Sequence, residues 1–319
     1  MPDRNLYYIG EMSSATLPSL TAGGIDLETG PDRFGFLLDS NEVIDNAEAL
    51  RSRMDRDGYL FLPGFFEREQ VRKARVAFCD LLAENGWLDP AYPNEMAIAL
   101  TNEASGFRPD IANDPVVGKL IRDVIYGDKI MQFYSLFLGG EATHFDFTWI
   151  RTIAPGIGSY PHCDVIFMGR GTKNLYTSWV PFGDVPLNVG GLLLIEGSHK
   201  DEEIRRTYSS MDIDTACVNR NNESEVQAAG YPGYGALSLD FRATRDRVGG
   251  RLLTAEEYRM GDLLLFNVYL VHGSLDNHSK EIRLSSDSRY QLASEPLDER
   301  WIGENPPGHG GNSVKGMIC

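Results

Sequence analysis

The spacing of apolar residues changes character twice along the chain. Residues 1–46 mix short apolar stretches with Gly, Ser, Thr and Asp without a sustained period, which predicts an extension with little regular structure. The run RDGYLFLPGFF at residues 56–66 reads as a short aromatic strand between turn formers. Residues 67–85 follow with Val71, Ala74, Phe78, Leu81 and Leu82 at helical spacing, and Gly86 is a suitable stop. From residue 129 the pattern becomes a series of strand-length segments split by Gly, Pro and Asn: IMQFYSLFL, FDFTWIRTI, DVIFM, LYTSWVPF, LLLIEG, LLLFNVYLVHG and IRLSSDSRYQL. Short strands in succession with no helix between them predict a mainly β fold with flanking helices, a sandwich or jelly roll (the double-stranded β-helix) capped by what precedes it. Residues 200–260 are charged, Gly-rich and irregular, and read as a long insertion between core strands, the kind of segment that often forms a lid. The expected plan is an extension (1–46), one domain (47–297, with a helical and strand part to 127 and a jelly-roll core over 128–292), and a Gly/Pro-rich tail (298–319).

Composition narrows the class of partner. A chain of 319 residues with 42% hydrophobic and 10% aromatic content can bury a large core. Its four cysteines, Cys79, Cys163, Cys217 and Cys319, form no CxxC pair, so neither a zinc ribbon nor a disulfide framework is indicated, and reduced thiols point to a cytoplasmic location. The start MPDRNLYYIG has no signal pattern, and the longest apolar run, LLLFNVYLV, is too short to span a bilayer, so no membrane partner is expected. A formal charge of −16 repels a phosphate backbone and argues against nucleic acid. The expected partner is a small molecule.

The candidate chemistry lies in SYPHCDVIF at residues 159–167. On a strand, His162 and Asp164 share one face while Cys163 turns to the other, which suits chelation. A lone HxD is common, and THFDF at residues 143–147 repeats the spacing with His144 and Asp146, for which ordinary hydrogen-bonded strand residues are the preferred reading. His272, at the end of the strand LLLFNVYLVHG, supplies a second imidazole. Two histidines and a carboxylate make the facial triad of non-haem Fe(II) oxygenases, with zinc as the rival metal. Arg283, eleven positions after His272 in an otherwise apolar wall, needs an anionic partner, and a dicarboxylate answers that need. His199, His278 and His309 read as turn and loop residues.

HCD at 162–164, Trp179 fifteen positions past Asp164, GGLLLIEGSHK at 190–200, VHGS at 271–274 and Arg283 together resemble the phytanoyl-CoA dioxygenase family of Fe(II)/2-oxoglutarate oxygenases, as does RDGYLFLPGFF with its helix. The resemblance covers roughly residues 50–292. It implies iron on His162, Asp164 and His272, 2-oxoglutarate gripped by Arg283 with Trp179, Ser274 and Ser285 as further contacts, O₂ as co-reactant, and oxidation, by default hydroxylation, with release of succinate and CO₂. Because Asp164 keeps its carboxylate, chlorination is disfavoured; desaturation, epoxidation and ring formation stay open. Cys163 stands where relatives commonly have glutamine. The insertion carries YPGYG (231–235) and Arg242, Arg245, Arg247 and Arg251, read as a solvated loop with a closing lid as the alternative. A non-catalytic jelly-roll binding protein and a zinc-dependent hydrolase are the competing readings.

Overall fold

The computed structural model describes residues 17–102, 105–214 and 235–309. In chain order, the strands of its two main sheets are β1 (Phe34–Phe36), β2 (Tyr59–Leu62), β3 (Gly106–Phe107), β4 (Ala142–His144), β5 (Trp149–Ile153), β6 (Tyr176–Pro181), β7 (Leu192–Ile195), β8 (Leu252–Thr254), β9 (Leu263–Asn267), β10 (His272–Ser274) and β11 (Arg283–Leu292). The larger sheet runs β2, β9, β6, β11, β5, β3, with β4 on the far half of β11; the smaller runs β10, β7, β8, β1. All pairings are antiparallel except β8 with β1. Two facing sheets of this kind form the jelly roll.

Alternation along each strand decides which layer a side chain enters. On the large sheet, Leu60, Leu62, Ile150, Val180, Leu263, Leu265, Leu284 and Tyr290 face outward and pack on helices through Val71, Phe78, Leu82, Ile121, Phe133 and Phe137. The intervening residues Tyr59, Phe61, Trp179, Leu264 and Phe266 face inward, against Leu192, Leu194 and Leu253 of the small sheet. The inward positions of β11 are polar: Arg283, Ser285, Asp287 and Arg289 are all buried. A row of charge on an inner face is costly unless it is paired or serves a ligand.

Several elements differ from the pattern-based expectation. IMQFYSLFL is not a strand but most of the helix Asp128–Leu138, whose buried Ile130, Phe133, Tyr134 and Phe137 follow a helical period. The outward side of that helix also carries apolar residues, which hid the period. DVIFM is a buried helical turn, Val165–Met168, headed by Asp164. LLLFNVYLVHG is two strands: Asn267 accepts from the Tyr269 amide through its side chain (3.0 Å) and from the Leu270 amide through its carbonyl (3.1 Å), turning the chain from the large sheet to the small one. His272 therefore opens β10 rather than closing β9.

The described part of the expected extension is built into the core. β1 pairs with β8, and the Asp276 carboxylate accepts from Thr21 Oγ1 (2.5 Å) and the amides of Gly23 and Gly24 (3.0 and 2.8 Å). Likewise β8 lies inside residues 200–260, so that stretch contributes a core strand. Strands of three residues carry no readable period. Most of YPGYG and Cys217 fall on residues outside the described ones. Of the arginine cluster, Arg245 is buried against Glu28 and Asp246 (both 2.8 Å), and Arg251 pairs with Glu196. No helix among the described residues is long and apolar enough to cross a membrane.

Candidate active site

The two sheets meet at a pair of histidines. The His162 amide donates to the His272 carbonyl and the His272 amide donates back to the His162 carbonyl, each at 2.9 Å, so an isolated antiparallel bridge locks the two residues side by side. His162 and Asp164 thus do not sit on a regular strand. The bridge holds His162, and the helical turn that follows brings Asp164 back to the same point. Close approach here requires Gly273, where a Cβ would lie 2.5 Å from the Ser159 carbonyl oxygen.

His162, Asp164 and His272 each offer one ligand atom, and the three atoms lie within 4.8 Å of one another. Asp164 Oδ1 is 3.9 Å from His162 Nε2 and 3.7 Å from His272 Nε2. Each imidazole turns Nδ1 to a backbone carbonyl two residues back, Tyr160 for His162 (2.8 Å) and Leu270 for His272 (3.0 Å). Nδ1 is then the donor, and the Nε2 lone pair faces the centre. Burial, then the neighbouring His272, pushes His162 down to about 3; burial also lowers His272. Both imidazoles are neutral near pH 7, as ligands must be.

Burial alone would raise the Asp164 carboxyl, but the Arg289 guanidinium, the largest opposing influence, holds it below the usual range. Arg289 Nη2 donates to Asp164 Oδ2 at 3.0 Å, and Thr177 Oγ1 donates to the same oxygen at 2.5 Å. Oδ1 is left facing the two Nε2 atoms. Arg289 also binds Asp287 through Nη1 (3.2 Å), and Asp287 accepts from Arg151 Nε at 3.0 and 3.1 Å. This chain of alternating charge escaped the sequence reading. The signal was present, since 283, 285, 287 and 289 share one strand face.

Arg283 is buried on that face. Its Nη1 donates to the Gly190 carbonyl, while its Nε, Trp179 Nε1 and Ser285 Oγ are buried without a hydrogen-bond partner. The guanidinium lies 5.9 Å from the Trp179 ring. Burial, then Arg151, lowers Arg283 to about 10. Buried donors left unpaired beside a guanidinium suit a polar, anionic group. Ser274 differs: its hydroxyl accepts from the Ser159 amide (2.9 Å) and hydroxyl (3.2 Å), so it braces the segment leading to His162. Cys163 turns away, its Sγ on the Tyr269 carbonyl and its thiol pushed up by burial.

Beside the triad lies a pocket lined by His162, Asp164, Arg151 and Arg289 and by Phe107, Phe147, Trp149, Phe167, Met168, Trp301 and His309. Trp301 and His309 come from the expected tail. The duplicate pair is elsewhere: His144 stacks on Tyr126 (3.8 Å between centroids), and Asp146 accepts from the Gly303 amide. His199 is buried with Nε2 on the Asp55 carbonyl, and exposed His278 meets Thr21 Oγ1.

A jelly roll with two neutral imidazoles, one ionised carboxylate and a buried guanidinium amid unpaired donors defines a non-haem iron dioxygenase that uses 2-oxoglutarate and O₂. Residues 54–285 match the phytanoyl-CoA dioxygenase (PhyH) family, and the chain belongs to it. It is 24% identical over 273 residues to the 1-deoxypentalenic acid 11-beta-hydroxylase of Streptomyces exfoliatus, covering 82% of this chain and 87% of that protein. In fold it resembles the non-heme alpha ketoglutarate dependent carbocyclase SnoK from nogalamycin biosynthesis (TM-score 0.53, 16% identity, 85% of this chain and 92% of that one). It also resembles EctD from S. alaskensis with bound Fe (TM-score 0.51, 20% identity, 91% of each chain).

Proposed function

We propose that His162, Asp164 and His272 hold Fe(II), that Arg283 with Trp179 and Ser285 holds 2-oxoglutarate, and that the enzyme hydroxylates a small, largely apolar molecule seated in the aromatic pocket. Ser274 is assigned to positioning the metal strand. The observation that carries this reading is the convergence of three donors in the right protonation state beside a buried guanidinium whose Nε has no partner. The donors present fit iron and a dicarboxylate, and the curated relative in Streptomyces exfoliatus is by name a hydroxylase.

Bound iron and 2-oxoglutarate supply the oxidising power, with one oxygen atom of O₂ leaving in succinate and the other in product. The chain supplies position. Asp164, tied at Oδ2, offers one oxygen; the bridged histidines fix the angle between their ring nitrogens; Arg283 anchors the far carboxylate through its planar fork. Phe147, Trp149 and Trp301 hold the reacting C–H bond in place and exclude water.

Anaerobic addition of Fe(II) and 2-oxoglutarate is expected to give a visible charge-transfer band, abolished in His162→Ala and weakened in Arg283→Ala. An intact protein without that band refutes the assignment.

A further inference from the structure

The inner face of the large sheet carries more positive charge than iron and its cosubstrate consume. Asp164 and Asp287 contribute two negative charges; Arg151, Arg283 and Arg289 contribute three positive ones, all on β5, β11 or the turn after His162. Fe(II) and the 2-oxoglutarate dianion cancel each other. The loaded chamber is left with one unmatched positive charge. The neighbouring carboxylates Asp212, Asp214 and Asp298 form a separate cluster with Arg170, Arg300 and His309, and of these six only His309 lines the pocket.

Geometry shows where the unmatched charge is presented. Arg289 is spent on Asp164 and Asp287, and Arg283 lies deep beside Trp179. Arg151 is different. Its Nε is fixed on both Asp287 oxygens, its side chain is 26% exposed, and its Nη groups have no hydrogen-bond partner among the described residues. It lines the same pocket as His162, Asp164 and the rings of Phe107, Phe147, Trp149, Phe167 and Trp301. A fork held from behind by a carboxylate, with two donors toward an apolar cavity, suits a planar monoanion.

We propose that the substrate is a carboxylic acid with an apolar, ring-bearing body, and that Arg151 is the specificity-determining residue that grips its carboxylate while the aromatic wall holds the hydrocarbon over the metal. This rests on the oxygenase reading above and names its substrate class. The acid neutralises the chamber, whereas a neutral or cationic analogue leaves it charged. A body anchored at Arg151 spans the pocket toward His162, which places its far carbons at the reacting position.

The test uses protein loaded anaerobically with Fe(II) and 2-oxoglutarate and matched acids and amides on cyclohexane, adamantane and abietane skeletons. Binding is read by quenching of tryptophan fluorescence, since Trp149 and Trp301 line the pocket, and by perturbation of the charge-transfer band. At least one acid is expected to bind tenfold or more tightly than its amide. Arg151→Gln should reduce that preference to within about twofold and leave the affinity for 2-oxoglutarate unchanged. Asp287→Asn, which raises the chamber's charge by one, should increase the preference, a gain that a purely structural role does not predict. If Arg151→Gln does not fold, the Asp287→Asn result decides: an unchanged or lower preference overturns the proposal. So does a panel in which no acid outbinds its amide, or loss of 2-oxoglutarate binding in Arg151→Gln, which would assign Arg151 to the cosubstrate. Absence of the band in the intact protein would instead refute the underlying oxygenase assignment.

Discussion

Arg289 is the sharpest test of how the site is held, because it joins two buried carboxylates. Replacing it with Met keeps most of the volume and removes Nη2 from Asp164 (3.0 Å) and Nη1 from Asp287 (3.2 Å). Breaking a buried pair from one side costs about 3–5 kcal/mol, since the abandoned charge stays buried. Asp287 keeps Arg151, but Asp164 keeps only the Thr177 hydroxyl, so the larger share falls on Asp164. A double-mutant cycle of Arg289→Met with Asp164→Ala, measured by urea denaturation of chelator-treated protein, should give a coupling of roughly 2 kcal/mol. Fe(II) affinity of the single variant should fall about 10- to 100-fold, as when a ligand's outer partner is lost. Additivity within about 0.5 kcal/mol, or a single-variant cost below about 1 kcal/mol, would show that Arg289 does not hold Asp164.

Other expectations follow from the same geometry. Iron-stripped protein should lose stability as pH falls from about 6.5 toward 3, by up to about 1.4 kcal/mol per pH unit from His162, with His272 acting in the same direction, because the unfolded imidazoles bind protons that the lowered folded ones refuse; melting curves that improve below pH 6.5 would contradict this. Gly273→Ala should cost about 1–3 kcal/mol by forcing β10 from the Ser159 carbonyl, and should weaken metal binding, read by denaturation and by iron titration. Trp179→Phe, which keeps the ring and removes the unpartnered Nε1 donor, should raise the KM for 2-oxoglutarate about fivefold with kcat held within about twofold; an unchanged KM would assign Trp179 to packing alone.

What could be read from sequence was whatever the chain repeats or spaces. The convergence of His162, Asp164 and His272 and the burial of Arg283 could be anticipated from residue type and spacing, and β6, β7 and β11 from strand-length runs bounded by Gly, Pro or Asn. The helix Asp128–Leu138 was not, since its apolar residues exceed one face. Nor was the split between β9 and β10, which depends on two amide hydrogen bonds accepted by Asn267, one at its side chain and one at its carbonyl. Arg151, Thr177 and Arg289 required register: only the pairing of β11 with β5 and β6 places Ser285 opposite Arg151 and Asp287 opposite both Trp149 and Trp179. His309 was dismissed as a loop residue because no local pattern reveals a contact with Asp214, 95 positions earlier.

That last contact bears on how the protein should be handled in the laboratory. Trimming the chain near residue 297, where composition shifts, would take away Trp301 and the guanidinium of Arg300 that lies 2.7 Å from Asp214. The shortened protein would be missing one side of the pocket beside the three converging donors. Weak turnover by such a fragment would therefore report on the cut, and not on the enzyme.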